Sequence, residues 1–384
     1  MMQKRVGTST RALLFAVLLV TGARAADSSS TATGISRLMN PAISVNALFL
    51  AETSADDRSP EANRIALQEA EMQLSAVVDP FWQADMIVAW HPEHEEDEEE
   101  AGHSHHTHFA TDIEVAKIRS TAMPAGLGLT LGKFYLPFGK HAMLHTHQFP
   151  FTEAPIGVLA FLGDHGLTDA GLSVDATVPL PWYCEATGYV TAGSAEIFNT
   201  ESNDLVYGGR LSNLWDVADD ATLEFGGSAF TGRDANAGAF GNNRLNMFGV
   251  DLTYKWVSGS RSQGPAVTWT NEVILPDYAQ TPGNPLGFYS HLQYRFARNW
   301  WLALGGGVAD DQPVYTEAAE GGVADPPTAR SWREYKANVA WAPSEFSALR
   351  AEVSYLENTT TDTDDLRFAL QWTFTIGSHP AHTY

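Results

Sequence analysis

Six of the thirteen histidines fall in one stretch, WHPEHEEDEEEAGHSHHTH at residues 90–108: His91, His94, His103, His105, His106 and His108. Among them stand Glu93, Glu95, Glu96, Asp97, Glu98, Glu99 and Glu100. Neutral imidazole and carboxylate are ligands for borderline divalent ions such as Zn²⁺, Ni²⁺ or Cu²⁺. The His-x-His-His-x-His spacing lets several rings converge on one ion. Between Pro92 and His108 only Ala101 is hydrophobic, so the run (91–108) is expected to be a solvated external loop that captures metal with fast exchange. The bland alternative is a charged loop that merely stays wet.

A second cluster, GKHAMLHTHQFPF, holds Lys140, His141, His145 and His147. Helical spacing would put His141 and His145 on one face, and an extended chain would put His145 beside His147; either pair could chelate. The segment around them, 137–168, is long and rich in Phe149, Phe151, Ile156, Val158, Leu159, Phe161 and Leu162. A loop this apolar is not left in water, so it is expected to fold into a lumen as a constriction loop whose histidines face the pore. Histidines bonded to a surrounding wall for structure alone would give the same sequence.

Such a loop needs a wall around it, and the chain supplies strands. LRFALQWTFTI sends Leu366, Phe368, Leu370, Trp372, Phe374 and Ile376 one way and Arg367, Ala369, Gln371, Thr373 and Thr375 the other. The same period of two runs through NMFGVDLTYKW, SALRAEVSY and EAEMQLSA. The pattern predicts strands at 42–52, 65–77, 81–91, 110–121, 126–136, 169–178, 182–193, 205–213, 221–231, 245–257, 265–275, 286–296, 299–308, 331–341, 346–357 and 365–377. DIEVAKIRST fits worst, because Lys117 and Arg119 break its alternation. Short turns such as Val78-Asp79-Pro80 alternate with long polar loops near 53–64, 92–109, 194–204, 232–244, 276–285, 309–330 and 358–364. Apolar, aromatic-rimmed outer faces and segregated loop lengths predict an all-β fold: a transmembrane antiparallel β-barrel of about 16 strands with one long inward-folded loop. Residues expected to line its lumen are Glu69, Glu71, Asp85, Arg210, Glu224, Asp251, Lys255, His291, Arg295, Glu334, Lys336, Arg350, Glu352 and Arg367. Such charges could impose a field across a pore or simply pair across strands.

Residues 1–25 read as a cleaved signal peptide: Lys4, Arg5 and Arg11 precede ALLFAVLLV and an Ala23-Arg24-Ala25 cleavage pattern. Residues 26–41 form an expected periplasmic lead-in and 42–384 the barrel. No later stretch reaches the ~20 apolar residues a membrane helix needs. One cysteine, Cys184, excludes an internal disulfide. Without the leader the chain has 19 cationic and 46 anionic side chains, a net charge of −27, which makes nucleic acid a poor partner and cations a good one. No nucleophile elbow, phosphate-binding glycine loop or H-E-x-x-H motif is present.

LQEAEMQLSAVVDPFWQADMIVAW, LTLGKFYLPFGKHAMLHTHQFPFTEAPIGVLAFLGDHGLTDAGL, WAPSEFSALRAEVSYL and FTIGSHPAHTY resemble a porin-like outer-membrane family, related in style to the phosphate-selective porins and often labelled zinc-regulated TonB-dependent outer-membrane receptor. The likeness spans most of the mature chain and is most specific at GKF-x-x-PFG-K-H-x-x-x-H-T-H. It implies a Gram-negative outer-membrane barrel of about 16 strands with a loop folded inward. TonB-dependent transporters use 22 strands and a plug, which about 360 mature residues are too few to supply. Nor does the chain show the lysine and arginine ladder of a phosphate channel. The expected function is passive uptake of small solutes, cation-biased and linked to divalent metal, with zinc foremost. It needs outer-membrane lipid, no resident cofactor, and a homotrimer as candidate assembly. The rivals are a surface metal-binding receptor with an occluded barrel and, further off, an outer-membrane hydrolase.

Overall fold

The computed structural model describes residues 41–55, 63–93, 108–163, 166–200, 202–235, 244–259, 264–278, 283–314 and 328–377. Leader, most of the lead-in and the middle of the His-rich run therefore lie outside the described residues. Alternation resolves into strands wherever it was read. The first eight are β1 (Ala42–Ser54), β2 (Arg64–Asp79), β3 (Trp82–Glu93), β4 (His108–Ser120), β5 (Leu127–Tyr135), β6 (Thr168–Thr177), β7 (Tyr183–Thr191) and β8 (Val206–Ala218). The rest are β9 (Ala221–Arg233), β10 (Arg244–Val257), β11 (Ala266–Tyr278), β12 (Leu286–Ala297), β13 (Trp300–Val314), β14 (Thr328–Ser344), β15 (Ser347–Asn358) and β16 (Thr363–Gly377).

Every strand pairs antiparallel with its sequence neighbours, and β1 closes on β16 through Ala47↔Phe374 and Leu50↔Gln371. Closure removes both sheet edges, so each backbone polar group in the wall can be satisfied without water. One face of the wall is apolar and open: Phe368, Leu370, Trp372 and Ile376 on β16, and Phe248 and Val250 on β10, are all 44–61 % exposed. Their neighbours Gln371, Asp251 and Thr253 are each 1 % exposed and turn inward. Trp182 stacks near Trp215 at 6.1 Å and Trp300 near Trp341 at 6.2 Å, forming an aromatic belt beside the short turns.

Several boundaries differ from the alternation: β8 runs on to Ala218, five residues past its expected end, and two other differences have a visible cause. β13 and β14 run well past 308 and before 331, shrinking the loop expected there, because an Arg333–Asp310 ion pair at 2.6 Å and a bulge between Ala309 and Gln312 extend the hairpin. His91 and His108 are strand residues, not loop ones: His91 pairs with Ala110 and Glu93 with His108, so backbone pairing carries β3 and β4 into the polar run.

The segment between β5 and β6 folds into the barrel. It makes a 3-10 turn at His141–Met143, another at Thr146–Gln148, and a short helix, α1 (Ile156–Leu162). Phe138, Phe149, Val158, Phe161 and Leu162 join Leu245, Met247, Ile274 and Tyr289 of the wall in one buried cluster. Glycines make room for it. A Cβ on Gly305 would lie 2.8 Å from the Phe151 ring, and one on Gly249 2.8 Å from that of Phe138. The glycine run at 304–309 is thus a seat for the loop.

Candidate functional site

The loop meets the wall in two chemically different places. On one side it delivers His145 and His147 to three carboxylates of the wall. Glu69 and Glu71 sit two apart on β2 and so share the inner face. Glu114 arrives by another route. The β3–β4 register passes from Ile87↔Val115 to Val88↔Ile113, which leaves Glu114 unpaired in a β-bulge with its side chain inward. That bulge is the physical reason alternation failed in DIEVAKIRST: Lys117 and Arg119 lie on the inner face, displaced by one residue. A second bulge, between Leu48 and Phe49 of β1, leaves Gln68 without a strand partner beside Glu69.

Glu69, Glu71 and Glu114 are only 6 %, 1 % and 8 % exposed. His145 Nδ1 lies 3.2 Å from Glu114 Oε2 and 3.2 Å from Glu71 Oε1, and His147 Nδ1 lies 2.8 Å from Glu71 Oε2. The Tyr135 hydroxyl donates to Glu114 at 3.0 Å and the Thr146 hydroxyl to Glu69 Oε2 at 2.7 Å. The two imidazoles stack with centroids 5.7 Å apart. Turn geometry holds His145 in place, since its backbone N–H donates to Gln148 Oε1. Burial opposes charge on His145, but the Glu114 hydrogen bond and the charges of Glu71, Glu114 and Glu69 outweigh it and raise its pKa above the usual histidine value.

His141 goes elsewhere. It lies 2 % exposed between Phe149, Tyr289 and His291, with ring centroids at 4.4, 5.8 and 6.4 Å. Its Nε2 has no hydrogen-bond partner. Burial, then the nearby Lys336 charge, push its pKa down to about 3, which fixes it as a neutral ring. Of the two pairings that the spacing allowed, His145 beside His147 forms and His141 with His145 does not. The loop is not one helix there, and the turn at His141–Met143 sends the two rings to opposite surroundings.

The remaining inward charges are largely matched. Arg210 makes a two-pronged pair with Asp251 at 2.6 and 2.9 Å, and Lys140 Nζ reaches Glu224 at 2.8 Å. Lys336 pairs with Glu334 at 2.8 Å and donates to the loop carbonyls of Glu153 and Ala154. Glu352 accepts from the Thr152 N–H and hydroxyl, and Arg350 donates to Phe149 O. Glu272, which alternation had not singled out, accepts from the N–H groups of Lys140 and His141 and from Tyr289. Arg367 bonds Asp365, Asp85 accepts from Ser75, Arg295 donates to Gly264 O, and Lys255 is half-buried facing Lys140 and Glu224. His94, His103, His105 and His106 lie outside the described residues.

No family model matches the chain. It is 25 % identical over 362 residues to an uncharacterized protein of Aquifex aeolicus (strain VF5), covering 83 % of this chain and 70 % of that one. Among solved structures it superposes on a loop L8 deletion mutant of OmpT, an outer-membrane protein of Vibrio cholerae. The TM-score is 0.56 at 10 % identity, over 88 % of this chain and 99 % of that one. It also superposes on the anion-selective porin of Comamonas acidovorans, with TM-score 0.56 at 9 % identity over 88 % and 100 %. The fold is that of an outer-membrane porin barrel.

Proposed function

We propose that the protein is an outer-membrane channel for passive passage of small solutes, narrowed by the loop between β5 and β6. One observation carries this reading: a closed wall, apolar outside, encloses a loop bonded to it from β2, β4, β9, β11, β14 and β15. A single-domain soluble protein has no use for so large an apolar exterior. A homotrimer is the assembly we propose, on the analogy of porins.

We further propose a cation bias and a link to divalent metal. Inward charges of both signs are mostly paired, so the bias rests on the acids of the external run, Glu93 and Glu95–Glu100 with Asp97, which raise local cation concentration at the mouth. The six histidines of that run would hold metal there. The anion selectivity of the Comamonas protein belongs to that protein; at 9 % identity its charge pattern does not transfer.

The test is planar-bilayer conductance of the refolded chain in KCl. Stepwise conductance with a cation-favouring reversal potential in a salt gradient is expected. Neutralising the acids of 95–100 should shift that potential toward zero. A folded barrel that conducts nothing would overturn the channel and favour a second reading, a barrel held shut, for which the dry packing of Phe138, Phe151 and Phe161 inside the wall speaks.

A further inference from the structure

We propose that Glu69, Glu71, Glu114, His145 and His147 bind one borderline divalent cation of the zinc class, and that the ion clasps the inward loop to the barrel wall. None of the histidines of the 91–108 run belongs to this set. Only its effect on flow rests on the channel reading.

The argument begins with geometry. Ligand atoms of Glu69, Glu71 and His147 lie within 4.8 Å of one another, and so do those of Glu71, Glu114 and His145. Glu71 belongs to both triples, so the five residues form one continuous donor set. It also has a wall half and a loop half, which is what a clasp requires.

Charge comes next. Three carboxylates, none more than 8 % exposed, share one pocket of the wall. Burying an ionised carboxylate costs several kcal/mol unless a cation or several donors compensate it. Among the described residues no lysine or arginine makes an ion pair with Glu69 or Glu114; the inward acids Asp251, Glu224 and Glu334 each have one, and Glu272 and Glu352, which have none, each accept three N–H or O–H donors instead. Glu69 is the decisive member. Thr146 satisfies its Oε2, while Oε1 is buried, has no hydrogen-bond partner, and belongs to a side chain directed at Glu71 and His147.

Donor chemistry selects the ion. Ca²⁺ and Mg²⁺ prefer all-oxygen surroundings, whereas two imidazoles joined by carboxylates suit Zn²⁺ and its neighbours. Tyr135 and Thr146 hydroxyls orient Glu114 and Glu69 from behind, as supporting residues around metal ligands do.

The experiment uses the full chain, folded in detergent, with His91, His94, His103, His105, His106 and His108 all changed to Asn to silence the external run. After chelator treatment it is titrated with Zn²⁺ against a chromophoric competitor. We expect one saturable ion per chain, with affinity reduced at least about tenfold by Glu69→Gln and by His147→Asn, since losing a ligand should cost no less than losing its support. Heat-modifiable gel mobility reports that each variant is folded. If Glu69→Gln fails to fold, His147→Asn decides alone, because it changes the loop and leaves the wall intact. No saturable ion in the histidine-silenced chain, or equal affinity in folded variants, overturns the site. Conductance on the same samples separates the two readings: binding without conductance sinks only the channel, and conductance without binding sinks only the site.

Discussion

His141 and His145 stand four residues apart in one loop, yet their surroundings push them in opposite directions. His141 sits in the dry half, against Phe149, Tyr289 and His291, and its pKa falls to about 3. His145 sits in the charged half, against Glu71 and Glu114, and its pKa rises. Burial disfavours charge on both rings; what differs is that carboxylates meet the ring nitrogen of His145, whereas Glu272 meets only the backbone N–H of His141. The loop is therefore fastened by two mechanisms. Around His141 apolar packing and wall charges bonded to the loop backbone hold it, and around His145 ionic contacts to the histidine side chains do.

The largest effect expected from breaking this contrast lies on the dry side. Phe151 is fully buried, and its ring fills the space over Gly305 and His291. Phe151→Ala should cost about 3–5 kcal/mol, because Gly305 offers nothing to fill the cavity and His291 is already packed against its edge. The measurement is the denaturant midpoint of the refolded barrel. A loss under about 1 kcal/mol would mean that the apolar half does little to hold the loop. The same change should raise single-channel conductance by loosening the constriction.

The sequence made the wall legible and the charged half partly so. Period-two alternation places a strand wherever both faces have opposite demands, which is why LRFALQWTFTI and NMFGVDLTYKW reveal both the strand and its facing. Glu69 and Glu71 were readable as inward, and His145 and His147 as a pair. Glu114 was not, because a bulge is a property of two strands and shows in one only as broken alternation, here at Lys117 and Arg119. The surroundings of His141 stayed open for a related reason. Spacing reports which residues could share a face, and the loop adopts separate turns at His141–Met143 and Thr146–Gln148 in place of one face. The glycines at 305 and 307 were visible, but what they accommodate, Phe151 and Ile156, is more than 140 positions away.

A middle-sized effect sharpens the ionic side. A histidine whose pKa is raised on folding stabilises fully below its unfolded value, near 6.5, and loses that contribution as pH climbs through the raised folded value. Stability in metal-free buffer should therefore fall on going alkaline from pH 6.5. His145→Asn should flatten that limb and cost about 1.5–3 kcal/mol near pH 6, the range for hydrogen bonds to charged groups. Unfolding midpoints that fall equally in wild type and variant would remove His145 from the fastening.

His141 supplies the opposite limb and the smallest effect. A histidine whose pKa is depressed stabilises above the unfolded value and loses that contribution as pH drops toward the folded one, here from about 6.5 to about 3. Acidification over that window must either charge a ring enclosed by Phe149, Tyr289 and His291, close to Lys336, or expel it. His141→Phe keeps a flat ring there and removes an Nε2 that has no partner, so at pH 7.5 stability should change by less than about 1 kcal/mol in either direction. At pH 5 the variant should exceed wild type, because its ring cannot take a proton. Wild type should then show a stability maximum near pH 6.5, with His145→Asn flattening the alkaline side and His141→Phe the acid side. If His141→Phe leaves the acid limb unchanged, protonation of His141 is not what limits stability in acid.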